Sequence, residues 1–323
     1  MMNHSMKNLF NFKPGTIIEG KWHKNAYILI KELGYGANGV VYLAKWRNRD
    51  VAIKLSDNGT SITSEVNVLK SFAKVQGSVL GPSLLDVDDW GRKSGNVFFY
   101  VMEYIRGPNF MTFIEQKGSS WLLVLTLQLL TDLDQLHQSG WVFGDLKPEN
   151  LIVTGPPAKI RCIDVGGTTM KGRAIKEFTE FYDRGYWGLG SRKADPAYDL
   201  FSLAMIMINT AYPKRFNKTT GGLVELMDKV KQSPSLQKVE VVIVHALQGD
   251  YHSASHMRND LLQVMSKNQS DVRHTTKQTR SMNAKNRGQA NQRKRKKGGW
   301  TETALLVSLV LLFYVLYIYS HLI

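Results

Sequence analysis

The sequence predicts an α+β domain, followed by a flexible basic segment and one apolar terminal helix. Three observations carry this. Residues 27–55 alternate apolar and polar side chains in short β-rich runs, the mark of half-buried strands. Two later stretches, Ser61–Phe72 and Trp121–Leu136, keep helical spacing. Past residue 266 the composition changes abruptly.

Of 323 residues, 43% are hydrophobic and 21% charged, which excludes a wholly disordered, collagen-like or disulfide-framework chain. Cys162 is the single cysteine, so no intrachain disulfide or all-cysteine metal site exists, and it reads as a small buried side chain on a strand. The formal net charge of +15 points toward a polyanionic partner, nucleic acid or anionic lipid. That charge is concentrated. Residues 267–299 hold eleven basic residues against one acid, Asp271, which leaves only +6 for residues 1–266.

Residues 267–299 are otherwise rich in Asn, Gln, Ser and Thr and cannot bury enough surface to offset the entropy of ordering. A flexible linker is expected there. Residues 304–323 then run for twenty positions with no Asp, Glu, Lys or Arg. A helix of that length spans roughly 30 Å, about the hydrocarbon thickness of a bilayer. Trp300 at one end and Tyr314, Tyr317 and Tyr319 toward the other suit the two interfaces. We expect a single transmembrane helix over 303–323. Arg293–Lys297 abut it, so the positive-inside rule places the N-terminal part in the cytosol, on a single-pass protein of the cell membrane.

Gly34, Gly36 and Gly39 form G-x-G-x-x-G, followed by Val40 and the β-rich run Val41-Tyr42-Leu43. A dinucleotide fold needs a helix straight after the glycines, so these sit instead in a strand-turn-strand hairpin. Glycine lets such a loop approach phosphates closely. Lys54 follows fifteen residues beyond Gly39, at the end of the next strand, as a fixed cation for phosphate oxygens. With Val51-Ala52-Ile53 before it, the chain here resembles the protein-kinase signature set. The resemblance implies a two-lobed fold with a small lobe over about 27–105 and a large lobe over about 106–266, after an N-terminal extension over 1–26. It also implies ATP and Mg²⁺ (or Mn²⁺) as cofactors. An acid on the next helix holds the lysine in that family; Glu65 is the candidate, on a face shared with Val68, Leu69 and Phe72. By the same resemblance, Glu103 C=O and Ile105 N–H contact adenine, with Met102 behind them.

The apolar stretch Trp121–Leu136, with Ser119 and Ser120 as candidate caps, leads to Gly144-Asp145-Leu146-Lys147-Pro148-Glu149-Asn150. This is similar to the D-x-K-P-x-N core of the kinase catalytic loop. There Asp145 accepts the proton of an attacking hydroxyl, Lys147 reaches the γ-phosphate and Asn150 offers an amide oxygen to magnesium. Asp164-Val165-Gly166 looks like D-F-G with valine for phenylalanine, and Asp164 becomes the second metal ligand. Asp199 resembles the helix aspartate that caps the catalytic loop.

Three departures stand out. Phe143-Gly144 replaces the usual His-Arg, so the arginine that pairs with a phosphorylated activation loop is missing. No Ala-Pro-Glu lies between Asp164 and Asp199, which opens the question of how protein substrates dock. Thr168, Thr169 and Thr179 are candidate autophosphorylation sites. Gly144-Asp145 is also similar to small-molecule kinases, while Lys147 and Pro148 favour the protein-kinase branch. His252 and His256 stand four apart without a third ligand, and zinc is not expected.

The layout resembles bacterial Hanks-type serine/threonine kinases, most of all the membrane-anchored, DNA-responsive kinases of endospore-forming bacteria, which connects it to sporulation. The implied partners are protein substrates with Ser/Thr acceptors, a second copy for trans-autophosphorylation, the membrane through 303–323, and DNA or anionic lipid through 267–299. The competing readings are a small-molecule kinase and an inactive membrane-tethered DNA-binding scaffold.

Overall fold

A computed structural model describes residues 10–36, 38–74, 80–92, 95–219 and 221–267. The basic segment from 268 and the apolar run over 303–323 lie outside the described residues. Among the described residues, no helix is long and apolar enough to cross a membrane.

The first half builds a six-stranded sheet. Its strands are β1 (Ile17–Glu19), β2 (Ala26–Gly36), β3 (Gly39–Trp46), β4 (Arg49–Ser56), β5 (Leu84–Arg92) and β6 (Gly95–Glu103), in the order β1-β2-β3-β4-β6-β5. Every pairing is antiparallel. The sheet begins before residue 27: Ile17 and Ile18 pair with Ile28 and Tyr27, and Phe10 is fully buried. Three strand residues are too few to show alternation, so sequence pattern alone does not reveal β1. The β2–β3 hairpin carries the glycines, as expected. Gly39 has φ +133°, and a Cβ there would stand 2.2 Å from Leu55 O, so only glycine fits.

Helix α1 (Gly59–Lys74) packs across this sheet. Asn58 caps it, its Oδ1 accepting from Thr60 N at 3.0 Å and Ser61 N at 3.1 Å. Ile62, Glu65, Val66, Val68, Leu69 and Phe72 are buried, the helical face the spacing predicts.

The second half is mainly helical. After α2 (Phe110–Lys117) comes α3 (Ser120–Gln138), whose Leu125, Leu129, Leu130 and Leu133 are almost fully buried. Ser119 stands at its N-cap, but neither it nor Ser120 makes the expected cap, for the Ser119 side chain bonds to no backbone N–H and Ser120 is already helical. Short strands β7 (Trp141–Val142), β8 (Leu151–Thr154), β9 (Lys159–Cys162) and β10 (Thr169–Met170) follow, paired β10-β7 and β8-β9. Past the short α4 (Arg184–Trp187), α5 (Pro196–Ala211) is buried on every side from Tyr198 to Asn209 and forms the centre of the large core. Helices α6 (Leu223–Gln232), α7 (Pro234–Gln237) and α8 (Glu240–Gln248) close the lobe, and residues 254–267 are helical. Cys162 is buried in this core, as expected.

Candidate active site

A cavity of about 380 Å³ opens between the sheet and the helical lobe. It is lined by Gly34, Gly36 and Gly39 from the hairpin, Lys54 from β4, Glu103 at the end of β6 and Ile105 just beyond it, and Asn150 and Asp164 below. Met102 is on the wall as well. Of the other residues expected at the site, Val40 is buried on β3 in the sheet core. Glu65 is reached through Lys54, and Asp145 and Lys147 lie alongside Asn150.

Sheet register explains why Lys54 stands where it does. Val41 and Tyr100 flank it on the neighbouring strands. Its Nζ lies 2.6 Å from Glu65 Oε2, and both side chains are buried. Tyr100 donates its hydroxyl to the same carboxylate oxygen at 2.7 Å. Burial pulls the Lys54 ammonium toward neutrality, yet the charges of Asp164 and then Glu65 outweigh it and hold its pKa above the ordinary lysine value. The lysine therefore stays protonated. Burial also pushes the Tyr100 phenol far up, so it remains a donor.

The catalytic-loop residues form one connected network. Lys147 Nζ donates to Asp145 Oδ2 at 2.5 Å. Asn150 Nδ2 donates to Asp145 O at 3.0 Å, which leaves its Oδ1 as the atom free to accept or ligate. Asp164 Oδ1 accepts from Gly166 N at 2.9 Å. Asp199, fully buried near the start of α5, accepts from Phe143 N at 2.8 Å and Gly144 N at 2.9 Å. The capping role expected of Asp199 is thus realised. His137, which pattern analysis passes over, donates Nε2 to the same carboxylate at 2.8 Å.

Gly144 occupies the position where an arginine is usual. Its φ is +84°, and an added Cβ would stand 2.7 Å from Gly167 O. The catalytic loop and the segment after Asp164 meet backbone to backbone. Gly144→Arg is expected to destabilise the domain by about 3 kcal/mol through left-handed strain and overpacking. Chemical denaturation tests this; a variant as stable as the parent overturns it.

Residues 167–195 place two further groups at the site, Thr179 and Glu177. Thr179 Oγ1 donates to Asp145 Oδ1 at 3.2 Å and accepts from Lys147 Nζ at 3.2 Å. Thr168 and Thr169 are buried, so neither hydroxyl is presented at the surface as a phosphorylation site would require. Glu177 lines the cavity and accepts from Asn38 Nδ2 at the hairpin turn. Its carboxyl is pushed above the usual range by burial first and by the charge of Asp164 next. A carboxyl with a higher pKa folded than unfolded weakens the fold at neutral pH, and that penalty fades as pH falls through the raised value. Glu177→Gln keeps an oxygen acceptor for Asn38. It is expected to raise the melting midpoint at neutral pH by about 1–3 °C, with the gain shrinking at acid pH.

Asp183 ties together the stretch that lacks an Ala-Pro-Glu. It is fully buried and accepts from Gly185 N at 3.0 Å, Tyr186 N at 3.0 Å, Tyr198 OH at 2.9 Å and Arg192 Nε at 2.8 Å. On the opposite side, Arg161 from β9 grips Glu103 through two bonds of 2.9 and 2.8 Å and also donates to Gly81 O at 2.8 Å. The Arg161 bonds, in the first place, draw the Glu103 carboxyl below its usual range. Tyr198 is distant in sequence from Asp183, as Glu103 and Gly81 are from Arg161, which is why pattern analysis misses those contacts.

The comparisons with known proteins agree with this arrangement. The protein kinase domain family model matches residues 27–283. The chain belongs to the protein kinase family. It is 51% identical over 338 residues, covering all of both chains, to the serine/threonine-protein kinase YabT of Bacillus subtilis. Over 43% of this chain and 14% of the relative, it is 30% identical to the serine/threonine-protein kinase ppk31 of Schizosaccharomyces pombe. Over 42% and 20% respectively, it is 30% identical to a probable serine/threonine-protein kinase of Clostridium perfringens. The chain is a serine/threonine protein kinase, which sets aside the small-molecule and scaffold readings. The family brings ATP and a divalent metal ion as cofactors, and serine or threonine side chains of proteins as acceptors.

The kinase's own residues fit both cofactors. A Cβ added at Gly34 or Gly36 would meet no atom within 4 Å, so the space beside the hairpin is open to a ligand. Below it, the Asp164 carboxylate and the Asn150 amide oxygen are the hard oxygen donors that magnesium takes. Among the described residues, no group of three or more His, Cys, Asp or Glu is placed to hold a metal by itself. A phosphate-bearing cofactor supplies further oxygen ligands to a two-ligand protein site of this kind.

Proposed function

We propose that this kinase transfers the γ-phosphoryl group of ATP to protein serine or threonine from a catalytic domain tethered at the cytoplasmic face of the cell membrane. The carrying observation is the convergence of Lys54, Asn150 and Asp164 on one cavity, with Asp145 and Lys147 bonded beside Asn150. In this reading Gly34, Gly36 and Gly39 cover the phosphates, while Val40, expected with them, faces the sheet core instead. Lys54, fixed by Glu65, neutralises phosphate charge. Glu103 C=O and Ile105 N–H hold adenine. Asn150 and Asp164 hold Mg²⁺, which shields the charge of the transferring group. Asp145 accepts the acceptor hydroxyl's proton, and Lys147 steadies the transferring phosphoryl. Thr179 must yield its bond to Asp145 when an acceptor hydroxyl arrives.

Residues 303–323 anchor the chain in this proposal, and residues 267–299 bind DNA, which raises activity by gathering chains for trans-autophosphorylation. Eleven basic residues support a polyanion ligand, and six of them stand upstream of the cluster that topology needs. The full chain in nanodiscs, given Mg-ATP and a protein acceptor with and without duplex DNA, tests this. Label that rises with DNA, falls with added salt and vanishes in Asp145→Ala supports it. Stimulation by anionic lipid but not DNA assigns the segment to the membrane surface instead. Activity indifferent to both returns it to a topology signal.

A further inference from the structure

The expected polyanion segment is not the only basic surface. Residues 171–175 run antiparallel to 192–194: Gly172 N donates to Ala194 O at 2.8 Å, Ala194 N to Arg173 O at 2.7 Å and Ile175 N to Arg192 O at 2.9 Å. The two segments bring Lys171, Arg173, Arg192 and Lys193 together, all exposed. Among the described residues, no carboxylate pairs with Lys171, Arg173 or Lys193. Arg192 bonds the buried Asp183 and lays its guanidinium 4.0 Å from the ring centre of Phe178. Phe178 is 42% exposed and precedes Thr179, whose hydroxyl rests on Asp145. The ridge therefore runs up to the entrance an acceptor hydroxyl must use.

Two exposed acids stand next to the catalytic residues along the chain. Glu149, four residues beyond Asp145, is exposed but ion-paired with Arg215. Glu180 is the exposed acid left beside Thr179, facing Arg192. Unpaired surface cations add little to stability, so folding does not account for them. A rim of one sign beside a cleft concentrates ligands of the opposite sign and discriminates against like charge.

We infer that this ridge selects acceptor proteins whose serine or threonine is flanked by acidic side chains, with Arg173 and Lys193 supplying the selecting charge. The acidic flank lies along 171–173 and 192–193 while the hydroxyl displaces Thr179 from Asp145. Neither Arg173 nor Lys193 lines the nucleotide cavity.

The test uses the full chain in neutral-lipid nanodiscs and three peptides sharing one serine, flanked by Asp/Glu, by Ala/Gln or by Lys/Arg. The acidic peptide is expected to show the highest kcat/KM, with a margin that narrows as salt rises. The double charge reversal Arg173→Glu and Lys193→Glu is expected to lower kcat/KM for the acidic peptide about tenfold, through KM. It should leave the neutral peptide and the KM for ATP unchanged. Equal use of acidic and neutral peptides overturns the inference. So does an equal loss on both peptides, which would mark a structural role. Weaker binding of a DNA duplex by the variant, with no peptide preference in the parent, overturns it in favour of a nucleic-acid surface.

Discussion

Asp145→Asn is expected to lower turnover by about 10²–10⁴-fold, the contribution typical of a positioned general base. The substitution keeps the shape: the amide oxygen can still accept from Lys147, and the amide NH₂ can donate to the Thr179 hydroxyl in place of the bond the other carboxylate oxygen accepted, so the loop should hold. Asp199 braces that loop through Phe143 N and Gly144 N, independently of the Asp145 side chain. Nucleotide affinity and melting midpoint are accordingly expected to stay near the parent values. Single-turnover kinetics with saturating ATP separate the chemical step from binding. A variant that transfers phosphate at even a tenth of the parent rate would remove Asp145 from the proposed role. A variant that loses nucleotide binding instead would make Asp145 a structural member of the cavity.

Lys54→Met is expected to lower stability as well as activity. The substitution leaves the Glu65 carboxylate buried with only Tyr100 and Ser61 as partners. Removing one member of a buried ion pair costs about 3–5 kcal/mol, because the surviving charge stays desolvated. Adding Glu65→Gln removes that charge. Replacing both members of a buried pair is often close to neutral. The double variant is therefore expected to recover most of the stability, to within about 1 kcal/mol of the parent, and none of the activity. Urea denaturation beside a phosphorylation assay reads both. Recovery of activity in the double variant would show that the lysine acts only by compensating Glu65.

The two results address different layers of the same site, and those layers differ in how far they could be read from the sequence. The run from Asp145 to Asn150 is contiguous, so its chemistry is visible as spacing. Lys54 and Glu65 lie eleven residues apart on a strand and the next helix, and the period of each element turns them inward. The surroundings of these residues were not legible. Tyr100 reaches Glu65 only because β6 pairs beside β4 in a fixed register. Glu177 enters the cavity from a segment without regular structure, and no periodicity announces it. Asp183 reads as an ordinary polar residue, yet it is fully buried and collects donors from two elements.

By itself, the sequence determined the α+β class, the glycine hairpin, the order of the motifs, the residues of the proposed chemistry and the uneven distribution of charge. Each depends on residue type and spacing along a short stretch, where backbone geometry dictates which side chains share a face. The tertiary structure alone decided what surrounds that chemistry. It added β1 and Phe10 to the fold, set Gly144 against Gly167, brought Thr179 to Asp145, and raised a cationic ridge from segments nearly twenty residues apart. Those contacts join distant parts of the chain, and the close packing of the core selects them rather than any local pattern.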